Sequence, residues 1–520
     1  MTSGALGRNW EESLSAQPRL LRVGDGRIVL TGKAMLEGAR QVAERLRVRG
    51  VVRSEAVPVF VANRASDLVA VLGVWLAGAV VVPIHQNASP DRVASIVTVS
   101  GARFLIDNGL PDAGPDGGTA LSVAARTPSL ADRIVDRSEG VTVLAHEARV
   151  FDLLQGAALV MFNSASTVAP RGVVIAHDSF QRKLAAIDTR HGFNAACRTQ
   201  VVLPITISAG LWMTLLTLLR GGSVHLRQDF SPLPTLDAIA EDGITHVALV
   251  PAMLRALVAA EILDAVRDRA ARIAALGRLT DIFTGGDVIS ASVIRAVTAL
   301  FPGAVLTNGF GRTETGTCDL TTLAGDLEAH PGAVGRPTPG VRVRIVGEDG
   351  QPVAPGTVGE LQILTPFIMS GYLGAPDMTR AAFDGNWFRT GDLAFAHADG
   401  VVEVLACRTE VMARGATKVY PQEVEQAFVG HPAVQDVLAT GVPDPLLGER
   451  IHLAVVLRGS ARPGVDDLQR WAAPRLETVK FPDQFHFTAA LPIGGTGRFD
   501  RGRLRQMITD GRLPRSDELG

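Results

Sequence analysis

Three short segments bring hydroxyls, carboxylates and cations close enough together to hold a phosphorylated ligand. In the first, Asn163-Ser164-Ala165-Ser166-Thr167-Val168-Ala169-Pro170-Arg171-Gly172, a polar loop follows an apolar strand. The hydroxyls of Ser164, Ser166 and Thr167 can donate to phosphate oxygens beside backbone N–H groups, and Arg171 supplies charge. An ordinary polar turn has the same composition, and only Gly172 offers the backbone freedom that such cradles use. The second segment is Asn308-Gly309-Phe310-Gly311-Arg312-Thr313-Glu314-Thr315-Gly316. Its Phe310 can lie against a planar base and Asn308 can bond the base edge; Gly311 permits close approach, and Glu314 suits a hard cation that bridges phosphates. In the third, Trp387-Phe388-Arg389-Thr390-Gly391-Asp392-Leu393, an aspartate in a tight turn offers two acceptor oxygens that fit a ribose diol. Taken alone, Asp392 also reads as a turn or cap residue.

These loops need strands and helices to hold them. Apolar spacing predicts helices over 34–48, 66–79 and 91–99, alternating with strands at 57–61, 80–83 and 103–106, which implies a largely parallel sheet covered on both faces. Gly109–Thr119 reads as a surface loop. A strand at 304–306 leads into the second segment. Beyond about Gly332, short strands at 341–346, 359–364 and 401–405 suggest a smaller β-rich portion. After the turns near Arg408–Pro421, a helix at 421–429 and a strand at 451–457 suggest a separate carboxy-terminal domain.

The chain has 520 residues, too many for one core, so two or more packed units are expected. With 47% hydrophobic and 20% charged residues it has the composition of an ordinary globular protein. Its net charge of −2 argues against a general nucleic-acid binder and against a polybasic membrane anchor. The unbroken apolar run Leu68–Ile84 reaches the lower edge of membrane-spanning length. Gly73, Gly78 and Pro83 interrupt it, and the reading is a buried helix passing into a buried strand. Cys197, Cys318 and Cys407 are spaced for neither a disulfide framework nor a metal site, and no secretory signal is visible, so the expected location is cytoplasmic. Lysine occurs only at positions 33, 183, 418 and 480, an arginine bias that by itself accounts for Lys-to-Arg changes within motifs.

In order and spacing, the three segments resemble the adenylate-forming superfamily of acyl-CoA synthetases, peptide-synthetase adenylation domains and firefly luciferase. The resemblance spans nearly the whole chain. Val71–Pro83 supports it early, and Gly441-Val442-Pro443-Asp444 with Leu447-Gly448-Glu449-Arg450 supports it late. It implies an α/β fold: a large amino-terminal AMP-binding domain of helix-covered sheets with a small β-rich subdomain, residues 1–405, and a small mobile α+β domain, residues 406–520. It also implies a two-step reaction. ATP and a small or medium carboxylic acid give an acyl-adenylate and pyrophosphate, and a thiol of CoA or of a carrier protein then displaces AMP. Carried over by residue, Asn308 and Phe310 contact adenine, with Gly286 and Asp287 on the adenine side and Gly311 in the same turn. Thr313 meets phosphate, Glu314 holds Mg2+, and Asp392 takes the ribose hydroxyls.

The sequence also departs from the family pattern. The phosphate loop has Ala165 and Val168 in place of glycines and Arg171 in place of a lysine. Ile207 stands where many relatives have histidine. Arg498, in Pro492–Arg498, occupies the place of the catalytic lysine that bridges the substrate carboxylate and the α-phosphate, and the planar fork of arginine is no equivalent of a point charge. At the degraded hinge motif, one register gives the ribose-binding arginine position to Cys407 and the other to Arg408, which makes Glu410 the hinge; Arg408 is preferred. These departures leave two alternatives open. One is an adenylate-forming enzyme with an amine acceptor, amide-forming or nitrite-dependent and diazotising, in specialised metabolism. The other is a nucleotide-binding member without catalysis. Residues 206–211, Asp287 and 310–312 are expected to line the acyl pocket, with Asp287 or Arg312 selecting a polar or charged group.

Overall fold

The apolar run at 68–84 is a helix, Ala65–Leu76, passing into a strand, Val80–His85, both buried apart from Ser66 and their last residues. Its glycine has a packing reason. A Cβ on Gly73 would stand 2.5 Å from Val42, because the helix Gly32–Val48 crosses there at backbone distance. Among the described residues, no helix is long and apolar enough to cross a membrane. The computed structural model describes residues 5–17, 21–26, 28–106, 134–138, 141–144, 150–162, 171–259, 262, 276–286, 289, 291–330, 332–415, 417–459, 461–494 and 499–513. The expected loop at 109–119 lies outside these, as do Ser164, Ser166, Thr167, Asp287 and Arg498.

The described strands form three sheets. In the largest, Ser223–Leu226, Arg198–Val201, His246–Leu249, Asp281–Gly285 and Val305–Phe310 run parallel, as the alternation of strand and helix predicts. Beyond Val305–Phe310 the sheet turns antiparallel through Leu320–Leu323 and Ala333–Pro337 and continues into Val402–Cys407 and Trp387–Ala396. The β-rich portion is thus joined to the main sheet by hydrogen bonds. A second sheet pairs Ala56–Val61 with Val80–His85 in parallel, and Ala157–Phe162 with Gly172–Ala176 antiparallel. The largely parallel pairing that was expected holds through the middle of both sheets, and antiparallel pairs flank it.

The main core lies between the two sheets and is filled by the helices Gly32–Val48, Ala65–Leu76, His177–His191 and Ser208–Leu219. The carboxy-terminal residues build a third sheet around Val434–Asp444 and Gly448–Leu457, with a core of its own. Among the described residues, its contacts with the rest include Arg255 with Asp436 at 2.6 Å and over the Phe499 ring, Gln426 with Glu403 at 3.3 Å, and Lys418 with Glu348 at 2.7 Å.

Candidate active site

The parallel strands of the main sheet end together, and the second segment begins there. Asn308 and Thr284 are register partners on adjacent strands, so their side chains share one face. Both are buried, and Asn308 Oδ1 and Thr284 Oγ1 bond to nothing among the described residues. Buried polar atoms are normally paired, so this spot fits a ligand edge with complementary groups. Its approach is cleared by glycine: a Cβ on Gly285 would lie 2.3 Å from Gly309 O, and Gly286, at φ +97°, turns the chain away. Phe310 flanks the spot, half-buried between two apolar clusters. A Cβ on Gly311 would lie 2.4 Å from Cys318 N, so the chain doubles back tightly and brings Thr313–Thr315 round as one short helical turn.

Glu314 in that turn is buried, and the Tyr372 hydroxyl donates to its Oε1 at 2.9 Å. Burial first, then the charge of Glu314, pushes the Tyr372 phenol well upward, so it stays a neutral donor. Arg171 is near enough to act on the charge of Tyr372, and its buried Nε has no partner among the described residues. A buried carboxylate suits Mg2+, which takes one or two protein oxygens and completes its shell with phosphate and water, whereas the Arg171 guanidinium suits the phosphate.

Asp392 lies in the strand Trp387–Ala396, with Gly391 at φ +74° before it, rather than in the expected tight turn. Its carboxylate is gripped by a fork: Arg312 Nε donates to Oδ2 at 3.0 Å and Nη2 to Oδ1. Burial works against the charge on Arg312, but the facing carboxylate outweighs it and holds the guanidinium firmly protonated. Arg312 Nε and Nη2 are both spent on Asp392 in this structure. Arg408 follows Cys407, the register partner of Asp392, and is exposed. A carboxylate has about four acceptor sites, so the Arg312 fork leaves lone pairs for a diol.

Thr313, Gly316 and Thr317 line a narrow cleft with Met161, Lys183, Ser208 and Trp212, whose free volume of about 10 Å³ has room for about one water. Of the residues expected to line an acyl pocket, Ser208 and Leu211 do so. The loop before them is positioned by Asn63, which accepts from Ile205 N at 3.0 Å and donates to Leu203 O and Arg227 O.

Two buried pairs brace this cleft, and motif reading found neither. Lys183 Nζ donates to Asp319 Oδ1 at 3.0 Å and to Cys318 O at 3.2 Å, which pins the turn where Thr317 and Cys318 both have positive φ. Both side chains are almost wholly buried, so Lys183→Met strands a carboxylate in the core. The expected loss is about 3–5 kcal/mol of stability, read as a lowered urea midpoint. The signal was there in the rarity of lysine. His191 Nδ1 bonds Asp281 Oδ2 at 2.8 Å. Burial opposes charge on the imidazole, but the Asp281 bond outweighs it, seconded by Cys318, and the pKa rises from 6.5 to about 9. The pair's stabilisation is therefore complete below pH 6.5 and lost as pH climbs to about 9. A decline on the order of 3 kcal/mol over that window is expected in chemical denaturation, with the His191→Phe variant showing a flat profile.

Residues 10–373 match the family described as AMP-binding enzyme, and residues 423–498 match AMP-binding enzyme C-terminal domain. A feruloyl-CoA synthase from Amycolatopsis sp is 29% identical over 493 residues, covering 94% of this chain and 96% of the relative. A sulfoacetate–CoA ligase from Cupriavidus necator is 29% identical over 499 residues, covering 94% of each. Among solved structures, the amide bond synthetase McbA from Marinactinospora thermotolerans superposes with a TM-score of 0.83 at 25% identity, covering 98% of this chain and all of that one.

Proposed function

Because this chain belongs to the AMP-binding enzyme family, we propose that it is an ATP-dependent, AMP-forming ligase that activates a carboxylic acid as its adenylate and passes the acyl group to a thiol of CoA or a carrier protein. The observation that carries this reading is the convergence of Asn308, Glu314 and Asp392 around the ends of the parallel strands, with unpartnered buried atoms where a base edge belongs. In this reading, Asn308 and Phe310 hold adenine, with Gly286, Gly311 and Asp287 beside them, and Asp392, fixed by Arg312, takes the ribose hydroxyls. Thr313 and Arg171, with Ser164, Ser166 and Thr167, donate to phosphate. Glu314, held by Tyr372, supplies the protein oxygen for Mg2+, which when bound draws charge from the phosphate oxygens.

The acid lies in the cleft beside Thr313. Its carboxylate oxygen attacks the α-phosphorus and pyrophosphate leaves; Arg498 is assigned the bridge between the two reacting anions. The thiol then attacks the acyl carbonyl and AMP departs. Residues 406–520, which have a sheet and core of their own, are assigned the swing between the two steps. Arg408, exposed at the start of this segment, is free to join the ribose in one of the two positions.

A second reading, with an amine as acceptor, is favoured by the 0.83 superposition with an amide bond synthetase. Incubating the enzyme with ATP, a panel of acids and either CoA or amines separates the two by product mass. Thioesters support the first reading, and amides without thioesters support the second.

A further inference from the structure

The carboxy-terminal sheet meets the rest of the protein at a point where one guanidinium holds two separate elements of it. Arg255 belongs to the helix Pro251–Leu257, which starts two residues beyond Leu249. Leu249, Thr284 and Asn308 are level across three adjacent strands. The helix therefore springs from the same strand ends as the unpaired atoms of Thr284 and Asn308, and Arg255 stands about 6 Å along its axis. Two residues reach Arg255 from the other side. Asp436, near the start of the strand Val434–Asp444, forms an ion pair with it at 2.6 Å, and the centre of the Phe499 ring lies 5.2 Å from the guanidinium carbon. Phe499 pairs antiparallel with Ile493, and Asp500 N donates to Pro492 O at 2.9 Å, so these residues close the segment that contains Arg498.

The other contacts between the two parts are weaker or closer to the pivot. Lys418 and Glu348 have side chains 65% and 91% exposed, so water and salt screen their attraction. Glu403, which meets Gln426, stands just before the carboxy-terminal part begins, where a contact resists rotation least. Arg255 and Asp436 are each only 15% exposed, and their attraction is screened far less. The grip is nonetheless incomplete. The buried Nη2 of Arg255 bonds to nothing among the described residues, and Nε meets Asp436 without good hydrogen-bond geometry. The docked position thus gains less than a fully paired guanidinium would give, which suits a contact that must open. Resting on the ligase reading, we propose that Arg255 is a positioning residue for the first step: by holding Asp436 and Phe499 it keeps the segment that carries Arg498 against the amino-terminal domain while the adenylate forms, and it lets go for the transfer. With no substrate contact of its own, Arg255 acts on the docked fraction, so its loss lowers the kcat of adenylation and leaves the KM values for ATP and acid in place.

The test separates the two half-reactions of the full-length protein. Exchange of labelled pyrophosphate into ATP with benzoate, 4-hydroxycinnamate or octanoate reads the first, and AMP release from the matching synthetic acyl-adenylate with CoA or butylamine reads the second. Arg255→Gln is expected to lower the exchange kcat about tenfold, with both KM values within about twofold of wild type and AMP release equal or faster. Asp436→Asn should give the same split, and the double variant should lose little more than either alone, because both changes break one contact. Asp436→Asn decides where Arg255→Gln folds poorly. An equal fall in both half-reactions, unchanged exchange, or losses that multiply in the double variant overturns the proposal. Amide hydrogen exchange over residues 251–257 and 434–437 reads the docking without chemistry, and both stretches should exchange about threefold faster or more in Arg255→Gln; unchanged rates overturn the proposal too. Absence of acid-dependent pyrophosphate exchange in the wild type would overturn the ligase reading, and docking by Arg255 would then stand or fall on the amide rates alone.

Discussion

Asp392→Asn is expected to lower kcat/KM for ATP on the order of 100-fold while the protein stays folded. The substitution keeps shape and removes charge, so the two ribose hydroxyls lose charge-assisted bonds of about 1.5–3 kcal/mol each, offset in part by the amide oxygen that remains. The carboxylate is pre-aimed by the Arg312 fork, so little freedom is lost when the sugar arrives. The companion variant Arg312→Lys retains charge but not the fork, and about a tenfold rise in the KM for ATP is expected with the KM for the acid unchanged. If Arg312→Lys instead alters which acids are accepted and leaves ATP untouched, the arginine faces the acyl pocket after all and its assignment here is wrong.

Glu314→Gln is expected to cost more, about 100- to 1,000-fold in kcat, since it removes the protein's anionic ligand from the cation that neutralises developing charge on phosphate. The Tyr372 hydroxyl bonds Glu314 Oε1, which makes Tyr372 a positioning residue. Tyr372→Phe should therefore reduce the rate about tenfold at low Mg2+ and recover at high Mg2+, a rescue that Glu314→Gln should not show. Retention of more than a tenth of wild-type kcat in Glu314→Gln, measured as acid-dependent AMP release, would remove Glu314 from the metal site.

The parts of the site that sequence made legible are those with few chemical solutions. A glycine-flanked Phe310, a following Glu314 and a separate Asp392 have restricted types and fixed order, and the strand that leads into Phe310 shows as a short apolar run. Contacts made across long separations were not legible in the same way. The Lys183–Asp319 and His191–Asp281 pairs join residues 136 and 90 positions apart, and no local period reports such a contact. Composition did hold a trace of them. Lys183 is one of few lysines and Tyr372 one of 2 tyrosines in the chain, and in the structure both serve buried carboxylates. Sequence gives the neighbours of Arg312 and not its direction, and its bonds to Asp392, 80 positions away, were not legible there. Joining the β-rich portion to the main sheet likewise depended on the pairing of Ala333–Pro337 with Val402–Cys407, which is set by packing and not by local propensity.

The measurement closest to the central claim is exchange of labelled pyrophosphate into ATP by the full-length protein with Mg2+ and an acid panel that includes hydroxylated aromatic acids. Label should enter ATP only when an acid is present, and Asp392→Asn and Glu314→Gln should each suppress it. No exchange with any acid, alongside an absence of calorimetric ATP binding, would contradict the account.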